Sequence, residues 1–154
     1  MNVALKTRIS NLVETIINIC KTEQIKIAVA ESCTGGQLSQ VLTEKPGASL
    51  FFKLGVITYS NESKIEILGV NKTTIEEHGA VSEQVAKEMG KGINKISNTS
   101  LGVAITGIAG PDGGTEHKPV GTVIISTIFH NIINRYLPHF IIRFRCGFLY
   151  QYES

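Results

Sequence analysis

Residues 27–44, IAVAESCTGGQLSQVLTE, decide the fold class, because they join an apolar run to a helical pattern through a turn. The run at residues 27–30 is short and unbroken, which is typical of a buried strand. Residues 32–36 turn the chain, and the helical pattern that follows from Gln37 to Glu44 ends at Pro46-Gly47. A strand, a turn and a helix in this order are the unit from which α/β domains are built.

The segments on either side of this unit also alternate between helix and strand patterns. Apolar residues at spacings of three and four from Leu5 to Cys20 predict an amphipathic helix of about four turns. Further helices are predicted at residues 61–68, capped by Ser60 or Asn61, and from about Ser82 onward, and further strands at residues 51–59, 101–105, 121–129 and 141–144. The alternation predicts an α/β layered domain, and 154 residues suit a single domain.

Composition and charge argue against several classes of function. With 42% apolar and 18% charged residues the chain reads as globular, and a net charge of +2 with scattered basic residues does not favour a nucleic-acid partner. No stretch of about 18 apolar residues suggests a membrane span, and the N-terminus does not read as a signal peptide. Cys20, Cys33 and Cys146 are odd in number and form no CxxC pair, so we expect no disulfide scaffold, no metal site and a cytoplasmic protein.

Ser32 is the first candidate for chemistry, because it stands where a predicted strand ends and a helix begins. Ligands bind at this edge of open α/β sheets, and backbone N–H groups there suit an oxyanion or a phosphate. The other interpretation is that Ser32 or Thr34 only caps the helix, which is the commoner use of such residues. Cys33 could be a thiol nucleophile at a helix start, although a small packing residue is more usual.

Residues 58–64, TYSNESK, supply a candidate base at the end of a second strand. An attacking serine needs a base, and Lys64 can serve if desolvation lowers its pKa. Tyr59 could relay a proton or orient this lysine. The alternatives are a solvated helix lysine and an exposed aromatic residue at a strand end.

Residues 106–114, TGIAGPDGG, form a glycine-dense loop that allows close approach to a ligand and could form an anion nest. The loop matches neither a Walker motif nor GxGxxG, and a pair of tight turns would explain it equally well. Asp112 is more often a turn residue than a catalytic acid. His117 is the one histidine near the predicted strand ends, so a serine–histidine triad with Ser32 stays open as a minor alternative.

Five blocks together resemble a known family: AESCTGG at 30–36, GVITYSNESK at 55–64, HGAVSEQVA at 78–86, ITGIAGPDGG at 105–114 and KPVGTV at 118–123. In order and spacing they are similar to the signature blocks of the CinA carboxy-terminal domain family. The resemblance covers roughly residues 5 to 128. Several long blocks in one order are far more specific than a single glycine motif.

This resemblance implies a three-layer α/β/α sandwich around a central sheet and, for family members, hydrolysis of the carboxamide of nicotinamide mononucleotide to nicotinic acid mononucleotide and ammonia. It implies no cofactor and no metal, a small nucleotide substrate, and frequent homodimers. Carried over by position, the catalytic residues are Ser32 as nucleophile, Lys64 as base, and Tyr59. The residues expected to bind the substrate or its oxyanion are Cys33, Thr34, Gly35, Gly36, Asn61, Thr106, Gly107, Gly110, Gly113 and Gly114.

The chain departs from the family pattern at both ends. Many members carry an amino-terminal nucleotide-processing domain, so we interpret this chain as the stand-alone form. Residues up to about 128–137 are family-like, whereas residues 138–154 replace the usual final segment with an atypical tail that we expect to pack poorly. The alternatives to an active amidase are a non-catalytic nucleotide-binding module and a structural remnant without function.

Overall fold

A computed structural model describes residues 3–129 and the backbone of residues 140–145. Within these described residues, five α-helices and five strands follow one another, with a single 3₁₀ turn at Ala48–Leu50. Their bounds are α1 Val3–Thr22, β1 Ile27–Glu31, α2 Gln37–Thr43, β2 Phe52–Ile57, α3 Asn61–Leu68, α4 Lys72–His78, α5 Glu83–Ser97, β3 Leu101–Gly107, β4 Thr122–Phe129 and β5 Phe140–Arg145.

The strands form one mixed sheet in the order β2-β1-β3-β4-β5. The pairs β1–β2 and β1–β3 are parallel, with Glu31 level with both Ile57 and Ile105, and the pairs β3–β4 and β4–β5 are antiparallel. The carboxyl ends of β2, β1 and β3 therefore lie at one edge of the sheet, together with the first residues of β4. Ligands bind at such an edge in α/β proteins.

Two apolar cores lie on opposite faces of this sheet. On one face, Ile27 and Val29 of β1 pack with residues of α1 and α2. On the other face, Ala28 and Ala30 pack with residues of α3, α4 and α5. All five residues of β1 are buried, as expected for a strand covered on both faces. The molecule is thus the three-layer α/β/α sandwich that was predicted.

Most predicted elements are present, and α4 is the one that the sequence analysis missed. Among the seven residues of α4 only Ile75 is buried, so no apolar period marks this helix in the sequence. The strand predicted at 141–144 is β5, at residues 140–145. The predictions about the rest of the tail, at 138–139 and 146–154, and those about His130, His139 and Cys146 lie outside the described residues. No helix in the described part is long and apolar enough to cross a membrane.

Candidate active site

A cavity of about 170 Å³ lies at the sheet edge where β1, β2 and β3 end. It is lined by residues that follow these three strands, by the first turn of α3 and by the segment before α5. The lining residues are Ser32, Cys33, Tyr59, Asn61, Lys64, Ala80, Val81, Thr106, Gly107 and Ala109. Seven of them are predicted site residues, which come from three separate stretches of sequence.

Ser32 is held at the mouth of this cavity by its backbone. Its N–H donates to the Ile105 carbonyl of β3 at 3.0 Å, and its own carbonyl accepts the Gly35 N–H at 3.1 Å. The turn closes through Gly36, whose φ of 99° suits glycine because other residues rarely adopt it. The side chain is buried, with 7% of its surface exposed.

Lys64 reaches Ser32 from the first turn of α3. This helix begins at a cap in which the Ser63 N–H donates to the Ser60 hydroxyl at 3.1 Å. The Lys64 Nζ lies 3.1 Å from the Ser32 Oγ, 2.8 Å from the Thr58 carbonyl oxygen and 3.0 Å from that of Tyr59. Only 1% of Lys64 is exposed.

The surroundings of Lys64 favour the neutral amine. Burial lowers its pKa from the ordinary value of 10.5, against the opposing effects of Cys33 and Glu62. Among the described residues no carboxylate forms an ion pair with it. A neutral amine can donate two N–H groups to the Thr58 and Tyr59 carbonyls and still offer its lone pair to the Ser32 hydroxyl. This arrangement can remove the proton from the serine.

Glu31 is a buried carboxylate that the sequence analysis overlooked. It ends β1 with 0% exposure, and its oxygens accept the Leu38 N–H at 3.0 Å, the Ser39 N–H at 2.8 Å and the Ser39 hydroxyl at 2.7 Å. Burial opposes the charge of Glu31, but these hydrogen bonds and the nearby Thr34 hydroxyl outweigh it and lower its pKa. Glu31 therefore caps α2, and neither Ser32 nor Thr34 has the capping role that was the alternative interpretation.

The cap leaves part of the turn available to a ligand. The amides of Leu38 and Ser39 are taken by Glu31, and the Gly35 amide is taken by Ser32. Within residues 3–129, no hydrogen bond joins the N–H of Cys33 or Thr34 to an oxygen acceptor. These two amides are adjacent to Ser32 in the turn. The Cys33 N–H contacts its own thiol sulfur, which is a weak acceptor that an oxyanion could replace, so both amides could donate to an oxyanion formed there.

Cys33 is a packing residue of the cavity wall. Its burial raises the pKa of the thiol, although its own backbone amide and Lys64 oppose this effect, and the charge of Glu31 adds to it. A thiol that stays protonated is a poor nucleophile, so Ser32 is the better candidate. Gly107 lies against it: a Cβ at this position would be 2.8 Å from both the Cys33 Sγ and the Thr122 carbonyl oxygen.

Tyr59 lies at the rim of the cavity, with 70% of its surface exposed. Its backbone carbonyl, and not its hydroxyl, is the group that contacts Lys64. Asn61 is also exposed at the rim, whereas Thr106 is buried and its hydroxyl donates to the Ala80 carbonyl at 2.9 Å. Thr106 thus fixes the segment that forms the opposite wall.

The remaining predicted residues do not line this cavity. Thr34, Gly35 and Gly36 lie in the turn beside it, and Gly110, Gly113 and Gly114 lie farther along the β3–β4 loop and are exposed. Asp112 and His117 are exposed on the same loop. The side chain that reaches Ser32 is that of Lys64, and His117 is not among the residues that line the cavity. Among the described residues no group of three or more histidine, cysteine or acidic side chains could hold a metal ion.

A larger cleft of about 690 Å³ lies between α1 and α2. None of the polar residues that line it is buried. The smaller cavity at Ser32 is the better candidate, because buried polar groups from several elements meet there.

Comparison with known proteins shows which family the chain resembles. The model of the CinA C-terminal domain family matches residues 9–140. A CinA-like protein of Chlorobaculum tepidum is 53% identical over 114 residues, which are 74% of this chain and 27% of that protein. A CinA-like protein of Fervidobacterium nodosum is 56% identical over 108 residues, which are 70% of this chain and 26% of that protein. The chain thus spans less than a third of the length of these curated relatives.

Solved structures agree with the fold in detail. The competence/damage inducible protein CihA from Agrobacterium tumefaciens superposes with a TM-score of 0.84 at 38% identity, covering 92% of this chain and 82% of that chain. The competence damage-inducible protein A from Klebsiella pneumoniae gives 0.83 at 30% identity, covering 90% and 83%. From the family match and these relatives, the chain belongs to the CinA C-terminal domain family.

Proposed function

We propose that this chain is a serine amidase in which Ser32 is the nucleophile and Lys64 the general base. The observation that carries the proposal is the 3.1 Å separation between the Lys64 Nζ and the Ser32 Oγ, at a lysine that is 1% exposed. A buried lysine is stable as a neutral amine, and a neutral amine beside a serine hydroxyl is a nucleophile–base pair.

The proposed reaction uses this pair in two steps. Lys64 takes the hydroxyl proton while the Ser32 oxygen attacks the amide carbon, and the amides of Cys33 and Thr34 hold the oxyanion. Lys64 then gives the proton to the leaving nitrogen, which departs as ammonia and leaves an ester on Ser32. A water molecule, deprotonated by Lys64, attacks the ester. The ester bond breaks, the acid is released, and Lys64 returns the proton to the Ser32 oxygen. Tyr59 contributes the carbonyl that orients Lys64.

The proposed substrate is nicotinamide mononucleotide, converted to nicotinic acid mononucleotide and ammonia in pyridine-nucleotide salvage. Family membership and the signature blocks support this choice. Asn61, Thr106, Gly107 and the glycines of the two loops would form the surroundings of the substrate, with Gly35 and Gly36 shaping the turn. No metal or cofactor takes part in the proposed reaction.

The resemblance also favours a cytoplasmic homodimer and a single domain with an atypical tail at 138–154. Light scattering on the purified chain measures its molar mass in solution and so tests whether it is a dimer. Hydrogen exchange tests the tail: amides at 140–150 that exchange much faster than those of Ile27–Ala30 agree with poor packing, and equal protection contradicts it.

Ammonia release by the purified full chain tests the activity. We expect stoichiometric ammonia and nicotinic acid mononucleotide from nicotinamide mononucleotide, and far slower release from free nicotinamide, which lacks the ribose phosphate. Binding of the nucleotide without ammonia release would instead identify a non-catalytic binding module.

A further inference from the structure

The cavity at Ser32 is too small for the whole of a nucleotide. Its volume is about 170 Å³, whereas sites that enclose a small ligand usually measure about 300–1,000 Å³. It suits the ring and carboxamide that react. If the proposed function holds, the rest of the substrate extends along the sheet edge, and a second site must receive its phosphate.

A second cavity, of about 270 Å³, lies next to the first at this edge. Val81 lines both cavities, and the segment from His78 to Ser82 forms a wall common to them. The strand register shows how the two cavities are placed along the sheet edge. Glu31 is level with Ile105 in β3, and Thr106 is level with Ile124 in β4. Ser32 and Ile124 are thus two strands apart, or roughly 10 Å at the usual spacing of strands.

Lys118 supplies a positive charge in this second cavity. Its Nζ donates to the His78 carbonyl at 2.7 Å, and its backbone is held in a turn by two hydrogen bonds with Thr115, of 3.0 and 2.9 Å. Within the described part of the chain its ammonium has no carboxylate partner, so two of its three donors are available. The other titratable groups lining the cavity are His78 and Glu83, and the latter is an exposed carboxylate.

We propose that the second cavity is the phosphate site of a mononucleotide substrate and that Lys118 binds this phosphate. The carboxamide then lies at Ser32, and the ribose crosses the Val81 wall between the cavities. The loop that presents Lys118 is fixed to the site segment through His78, so the charge is preorganised. Glu83 opposes the phosphate and weakens its binding.

The test compares nicotinamide mononucleotide with nicotinamide riboside, which has the same amide and lacks the phosphate. In Lys118→Met, we expect the ratio of kcat/KM for nucleotide to that for riboside to fall about 10- to 100-fold, as for the loss of one charge-assisted hydrogen bond. In the matched variant Glu83→Gln, this ratio rises. An unchanged ratio in Lys118→Met, or an equal loss on both substrates, overturns the proposal.

A binding measurement separates this proposal from the proposed activity. Calorimetry with ribose 5-phosphate needs no turnover, and we expect binding by the native chain that weakens about 10- to 100-fold in Lys118→Met and strengthens in Glu83→Gln. If ribose 5-phosphate binds in this way but no amide is hydrolysed, the activity is wrong and the phosphate site stands. No binding by the native chain, or equal binding by native chain and Lys118→Met, refutes the site.

Discussion

At the scale of single residues, the site depends on a lysine that is buried without a counter-ion. Lys64 makes its contacts with a hydroxyl and backbone carbonyls, and among the described residues no carboxylate forms an ion pair with it. Burial of an unpaired charge is costly, and the lysine responds by losing its proton more easily. The lowered pKa of Lys64 should therefore be measurable in the pH dependence of both the activity and the free energy of unfolding.

Activity should rise with pH as Lys64 loses its proton, through an apparent pKa below 10.5. Lys64→Arg should be inactive at every pH, because arginine stays protonated and cannot act as a base. The measurement is the pH dependence of kcat/KM for ammonia release. An active Lys64→Arg variant would show that this position supplies only charge, and the base would have to be sought elsewhere.

Stability should also depend on pH at this residue. The pKa of Lys64 is lower in the folded chain than the ordinary 10.5, so the cost of burying its charge is complete below the folded pKa and vanishes as pH rises through 10.5. The native chain should therefore gain free energy of unfolding relative to Lys64→Met between pH 7 and pH 10. Urea unfolding of both proteins at the two pH values measures this. A difference that stays constant would mean that Lys64 is charged in the fold.

At the scale of elements, the turn at Ser32 is fixed by the contact between β1 and α2. Gly36 precedes α2 and has no side chain to cap it, so the Glu31 carboxylate satisfies the first amides of the helix instead. A negative charge at a helix start is also favoured by the helix dipole. Glu31 thereby links the end of β1, which precedes the turn at Ser32, to the start of α2, which follows it.

Glu31→Gln should destabilise the fold by about 1–3 kcal/mol at neutral pH, since one amide oxygen cannot replace two charged acceptors. The folded-state pKa of Glu31 lies below 4.5, so its stabilisation is complete above that pH and is lost as pH falls through the folded value. Chemical unfolding at pH 7 and pH 3 measures the loss. Ser39→Ala, which removes one of the three hydrogen bonds, is the control and should cost less. Equal stability of Glu31→Gln and the native chain at pH 7 would contradict the capping role.

The sequence predicted the elements that have a clear apolar period, the strand-end position of Ser32 and the position of Lys64 about one turn into a helix. It did not reveal Glu31, because a carboxylate at the end of a strand is recognised as a cap only when the strand and the next helix are placed together. It placed Tyr59 in the site, but the backbone carbonyl that contacts Lys64 is common to all residues and has no sequence signal. The short helix α4 was not predicted because its single buried residue, Ile75, gives no apolar periodicity.

At the scale of the whole molecule, α5 holds the helical layer that carries Lys64 against the sheet. It contacts β3 and β4 directly, and it packs on α3 so closely that a Cβ at Gly92 would be 2.0 Å from the Leu68 carbonyl oxygen. Such an approach is possible only for glycine, and Leu68 ends the helix that presents Lys64. These contacts join segments distant in sequence, so helical periodicity could predict the apolar face of α5 but not its closeness to α3.

Gly92→Ala should therefore separate α3 from α5 and destabilise the fold. Alanine favours a helix by about 1 kcal/mol over glycine, but overpacking costs about 1–3 kcal/mol or more. Because the added Cβ would lie 2.0 Å from a backbone oxygen, we expect an overpacking cost at the upper end of this range. That cost exceeds the gain in helix propensity. Thermal unfolding measures it, with Lys95→Ala at an exposed position of α5 as the control. A variant more stable than the native chain would show that the layers are less tightly packed.

The activity of Ser32→Ala tests the central claim most directly. The substitution removes the nucleophile and its contact with Lys64, and it leaves the start of α2 intact because Glu31 caps this helix. We predict an unchanged circular dichroism spectrum, retained binding of nicotinamide mononucleotide, and ammonia release below 0.1% of the native rate, on the order of the loss when a catalytic nucleophile is removed. Ammonia release at the native rate by a folded Ser32→Ala chain would contradict the proposed mechanism.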